Sequence, residues 1–191
     1  MKELNTIAML LTTALLHGCA TVVTAGGTAV ATKTAIDPRT FITQIKDNTL
    51  ELRIRNTLAR DQQIKTNSRI ITTVYQGKVL LTGQALSQKI VNRAKEVTLH
   101  VKGSTDVYNE IRISKKINLC TASSDAWITT RIQSQLLGSN QVKLSNVKII
   151  TENGEVFLLG LVTKKEATAA ADIASRVNNV KHVTTAFTLL K

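Results

Sequence analysis

Apolar residues recur every fourth position in two separate stretches, Leu50, Ile54, Leu58 and Ile128, Ile132, Leu136. That spacing predicts helices that each bury one stripe. Asn48 followed by Glu51, and Ser124 followed by Asp125, fit the cap and first-turn acid of such helices. Period-two alternation comes next. Ile70, Thr72 and Val74 lead to Gln76-Gly77, and Val147, Ile149 and Thr151 lead to Asn153-Gly154, dipeptides suited to a tight hairpin. The returning strands are predicted to end at Gly83 and Gly160. In the later stretch Thr163 and Glu166 have capping-box spacing, and Ala167, Ala169, Ala170, Ala171 and Ala174 fill a second helix that can lie close to a sheet. A last strand is predicted over 107–113 and over 183–189.

The two stretches are copies of one unit. Gly77 and Gly83 fall on Gly154 and Gly160 at an offset of 77, and upstream Leu50 falls on Ile128 at an offset of 78. Each copy has the order helix, strand, strand, helix, strand. The expected fold class is α+β, with two helices packed on a three-stranded mixed sheet in each copy. The expected boundaries are 47–114 and 124–191, joined by a linker over 115–123 in which Lys115 and Lys116 read as solvated.

A chain of 191 residues with 43% hydrophobic and 20% charged residues has an ordinary globular composition. Its net charge of +12 attracts anions, whether nucleic acid, anionic lipid or acidic protein. The N-terminal segment narrows that choice. Lys2 precedes an apolar run over 7–16 that is too short to span a bilayer, which reads as a signal peptide over 1–18. It ends in Leu16, His17, Gly18, Cys19, which resembles the lipobox of bacterial lipoproteins, although small residues are commoner where His17 stands. The resemblance implies cleavage before Cys19 and lipidation of its thiol. Each buried methylene then contributes about 0.8 kcal/mol, so several acyl chains hold tightly. Ala20 follows the cysteine, where an aspartate would resemble an inner-membrane retention signal, so the resemblance implies delivery to the outer membrane. Residues 19–46 read as a lipidated tether. Cys120 is then a lone thiol with no activating neighbour in sequence.

The repeated order and its glycines resemble the BON domain, a family of small bacterial envelope modules, over residues 47–191. Two such domains behind a lipobox resemble the lipid-binding lipoproteins of that family. The resemblance implies a periplasm-facing outer-membrane lipoprotein that binds anionic phospholipid, supports membrane integrity and is enriched at the division septum. The alternative is a periplasmic scaffold that binds envelope-assembly or peptidoglycan-remodelling proteins through the more basic first copy. Residues 48–113 carry eleven Lys or Arg against five Asp or Glu, compared with eight against five over 124–191.

No catalytic constellation is legible, so the expectation is a non-enzyme with no cofactor, no metal and no small-molecule substrate. Aromatic residues make up 3% of the chain and no Gly-x-x-Gly segment occurs, which argues against nucleic acid. The most informative residue is Trp127, the sole tryptophan. With Ile128, Ile132 and Leu136 turned inward, Trp127, Thr130, Ser134 and Leu137 fall on the opposite helix face, with Arg131 on its flank. This combination suits an interfacial contact with anionic phospholipid. The same pattern also admits packing against the other domain or against a protein partner. The equivalent face of the first copy carries Thr49, Leu52, Asn56 and Ala59, flanked by Arg53, Arg55 and Arg60, and reads as basic without an aromatic anchor.

Overall fold

The computed structural model describes residues 41–190; the signal-peptide segment, Cys19 and the tether up to residue 40 lie outside the described residues. The chain forms α1 (Phe41–Arg60), α2 (Gln62–Asn67), β1 (Ser68–Tyr75), β2 (Lys78–Ala85), α3 (Gln88–Leu99) and β3 (Asp106–Ile113). The order then repeats as α4 (Leu119–Leu137), a 3-10 turn (Leu144–Asn146), β4 (Val147–Glu152), β5 (Glu155–Val162), α5 (Lys164–Ser175) and β6 (His182–Leu189). In each copy the hairpin strands are antiparallel and the last strand runs parallel to the second, giving two mixed sheets in the order β1-β2-β3 and β4-β5-β6.

The inward faces follow the periodicities. Leu50, Ile54 and Leu58 pack on Val74, Val79, Leu81 and Ile111, and Ile128, Ile132 and Leu136 pack on Val147, Ile149, Val156 and Leu158. Both hairpins turn through left-handed pairs, Gln76 at φ 51° with Gly77 at 78°, and Asn153 at 52° with Gly154 at 77°. The capping box of Thr163 and Glu166 opens α5.

Three local expectations are corrected. The first helix of each copy begins earlier than its signals suggested, at Phe41 and Leu119. Asn48 and Ser124 therefore lie inside helices, and the cap of α4 is Asn118, whose side chain accepts from the Thr121 N–H at 2.9 Å. The returning strands continue past Gly83 and Gly160 to Ala85 and Val162. These glycines are sites of close backbone approach: a Cβ would lie 2.0 Å from the Arg69 carbonyl oxygen at Gly83 and 2.2 Å from that of Asn146 at Gly160.

Each sheet has helices on one face and the other sheet on its opposite face. Tyr75, Leu80, Phe157 and Leu159 form a separate buried cluster between the sheets, with Ile150 and Ala186 against it. Polar contacts surround it. Glu152, buried, accepts from Arg69 Nη1 at 2.6 Å and from Gln84 Nε2 at 2.5 Å. Arg112 grips Glu155 with Nε and Nη2 at 2.6 to 3.0 Å, a pairing that holds its guanidinium pKa above the ordinary arginine value. Gln84 Oε1 also accepts from the Ile117 N–H at 3.3 Å, which fastens the linker.

These contacts fix the relative direction of the sheets. Arg69 and Arg112 stand at the end of the first sheet away from its hairpin, yet they meet Glu152 and Glu155, which flank the second hairpin. Lys78, beside the first hairpin, reaches the Phe187 carbonyl at 3.5 Å, at the far end of the second sheet. The two hairpins therefore point in opposite directions, and the helices of the two copies cover opposite outer faces.

Candidate membrane-contacting site

Helix α4 is held by its inner side. Ile128, Ile132 and Leu136 are almost fully buried, and between them and the hairpin sits Asp125, 6% exposed. Its Oδ2 accepts from the Asn153 N–H and its Oδ1 from the Gly154 N–H, both at 2.7 Å. Asp47 does the same in the first copy, accepting from the Gln76 and Gly77 N–H groups at 2.7 and 2.9 Å. Each carboxylate latches its helix to the turn of its own hairpin and satisfies two backbone donors there. Asp125, expected as a first-turn acid, has this role instead. Spacing carried a usable signal, because the two aspartates lie 78 residues apart, like the helix residues around them.

The outer side of α4 is open. Trp127 is 50% exposed and Leu137 71%, and Thr130, Arg131 and Ser134 are exposed between them. All five predicted residues thus share one solvent-facing surface. Because the helix begins at Leu119, that surface also includes Leu119, 82% exposed. The Thr130 hydroxyl donates to the Ala126 carbonyl at 2.9 Å, so it presents little unmet polarity. The other domain does not cover this face, since docking uses the opposite sides of the two sheets.

Beside the indole lies a concavity of about 250 Å³ lined by Trp127, Arg131, Gln135, Arg176, Val177 and Asn178. Arg176, absent from the sequence-based candidates, arrives from the end of α5. It pairs with Asp172 one helical turn back, at 2.9 Å, and is largely exposed. A basic residue at a helix end complements the helix dipole, so sequence alone offered no reason to single it out. The site therefore joins one large amphipathic ring, two guanidinium groups and aliphatic side chains, a set suited to a phosphate-bearing, partly apolar surface.

Other chemistry is sparse. His100 Nδ1 lies 2.8 Å from the Glu96 carbonyl of its own helix, and Cys120 is exposed. Among the described residues there is no group of three His, Cys, Asp or Glu side chains placed to hold a metal, and no helix is long and apolar enough to cross a membrane.

Comparison with known proteins agrees with this architecture. The BON domain family matches residues 46–115 and 124–191. The chain is 44% identical to the outer membrane lipoprotein DolP of Haemophilus influenzae over 191 residues, covering 100% of this chain and 98% of that one. It is 45% identical to the 21 kDa hemolysin of Actinobacillus pleuropneumoniae over 148 residues, 78% of this chain and 76% of that one. It is 28% identical to the osmotically-inducible protein Y of Escherichia coli over 131 residues, 67% and 61% of the two chains. With both of its structural repeats matched and full-length similarity to a lipoprotein, the chain belongs to the BON-domain family and is a dual BON-domain lipoprotein of the outer membrane.

Proposed function

We propose that this lipoprotein, anchored through Cys19, binds anionic phospholipid with the outer face of α4 and thereby supports outer-membrane integrity, at the division site and without catalysis. The observation that carries the reading is Trp127, half-exposed beside Arg131 on a face that neither the core nor the other domain covers. An indole favours the headgroup boundary, where its ring is shielded and its N–H remains hydrated. Leu119 and Leu137 lie at the two ends of the same helix face, while Arg131 supplies a cation at phosphate depth and Arg176, paired with Asp172, stands beside it. Latching of Asp125 to the hairpin fixes α4 before contact, so little ordering accompanies binding.

Co-sedimentation of residues 35–191 with phosphatidylglycerol vesicles tests it. Both cores and the domain interface lie within this compact unit, so it folds without the lipidated segment. Trp127→Glu is expected to weaken binding about tenfold, equivalent to about 1.4 kcal/mol, with the circular dichroism spectrum unchanged. Binding should also weaken as salt rises, because exposed charge contacts are screened. Wild-type affinity in the folded Trp127→Glu variant would refute the assignment.

A further inference from the structure

The first copy has its own unpartnered face. On α1, Asp47, Leu50, Ile54 and Leu58 are turned inward, and on the opposite side Phe41, Ile42, Ile45 and Leu52 are 76%, 64%, 49% and 49% exposed. At about 100° per residue these four fall within one helix face, so the expectation of a face without an aromatic anchor is corrected by the earlier helix start. Of the thirteen large hydrophobic residues exposed among the described residues, seven lie on the outer faces of α1 and α4.

Beside this face is a concavity of about 530 Å³ whose lining includes Ile45, Lys46, Thr49, Arg53 and Lys102. It is the counterpart of the one next to Trp127, since Thr49 corresponds to Trp127 and Arg53 to Arg131 at the repeat offset. Without an indole it is about twice as large, with three cations around it. Asp47 also lines it but is committed to the Gln76 and Gly77 N–H groups, and Glu51 is directed toward the Val74 N–H and Lys148. The exposed charge of the face is therefore positive.

We infer that the outer face of α1 is a second contact surface for an anionic bilayer. Exposed apolar side chains in line with uncompensated cations meet the requirements of an interfacial helix, and the face begins 22 residues after Cys19. Because the two copies dock through their sheets with hairpins reversed, the α1 and α4 faces lie on opposite sides and cannot rest on one flat bilayer together. A molecule with both faces occupied joins two bilayers, and a molecule on one bilayer uses one face at a time. This inference rests on the lipid-binding reading for α4, which the test separates from it.

The test is clustering of phosphatidylglycerol vesicles by residues 35–191, followed by turbidity and light scattering, alongside Trp127 fluorescence. Wild type is expected to cluster vesicles and to shift Trp127 emission to the blue. The variant Ile45→Glu with Arg53→Glu is expected to lose clustering and keep the emission shift, because both side chains are exposed and carry no core packing. Trp127→Glu is expected to lose clustering and retain weak binding, which the triple variant then loses. No clustering by wild type, or undiminished clustering by the folded α1 variant, overturns the inference. Absence of the emission shift in every protein instead overturns the reading of α4.

Discussion

Asp125→Asn is a stringent perturbation because it changes almost no volume. The wild-type carboxylate accepts one backbone N–H on each oxygen at 2.7 Å, and the Gly154 donor is buried. Asparagine keeps one acceptor and directs an NH2 group at the other N–H, leaving a donor without a partner beside the core. A hydrogen bond to a charged group contributes about 1.5–3 kcal/mol, and an orphaned buried donor costs about 1–3 kcal/mol. Because the retained bond loses its charge and the other is lost outright, the variant should be about 3 kcal/mol less stable. For a unit of this size that lowers Tm by roughly 6–12 °C. Urea unfolding of residues 35–191 measures the free energy, and hydrogen exchange locates it, with α4 and the β4–β5 turn losing protection first. Asp47→Asn should act in the same way on the first copy, whose carboxylate makes the same pair of bonds. A loss below about 0.5 kcal/mol, typical of an ordinary surface substitution, would refute the latch.

Two further outcomes follow from local geometry. Gly160→Ala should cost at least about 2 kcal/mol as an overpacking substitution, because its Cβ meets the rigid backbone oxygen of Asn146; thermal melts would show it, and an unchanged Tm would count against the close approach. Burial works against ionisation of Asp61, but hydrogen bonds from the Ile64 N–H and the Arg93 guanidinium outweigh it and hold the carboxyl below its ordinary value. A lowered folded pKa stabilises above the unfolded value and is lost as pH falls through the folded one. Wild type should therefore melt above Asp61→Asn at pH 7, with the gap closing below about pH 3.9.

Much of this molecule was legible because local rules and tertiary packing agree. The four-residue spacing of Ile128, Ile132 and Leu136, the Asn153-Gly154 turn and the Thr163 capping box each describe a local arrangement that the fold retains. The outer face of α4 was legible for the same reason, since a helix with a known inner stripe has a known outer one. Some of the misread features arose because a residue's partner lay far away in sequence. Asp125 and Ser124 looked like helix-start signals because the partners of Asp125, the amides of Asn153 and Gly154, come from a hairpin 28 residues on. The mode of domain docking was missed although β2 and β5 carried a hint. Val79, Leu80, Leu81 and Val156, Phe157, Leu158, Leu159 are unbroken apolar runs, the pattern of strands buried on both faces. Arg176 left no trace at all, because its place beside Trp127 exists only once α4 and α5 have packed.

Whether Trp127 meets the membrane is reported by its own fluorescence, because the protein contains no other tryptophan. Residues 35–191 would be mixed with phosphatidylglycerol vesicles containing lipids brominated at defined depths. The expected result is a blue shift of the emission and quenching that is greatest for bromines nearest the headgroups, with neither effect on zwitterionic vesicles. Emission that stays unchanged while the protein co-sediments with the anionic vesicles would contradict it.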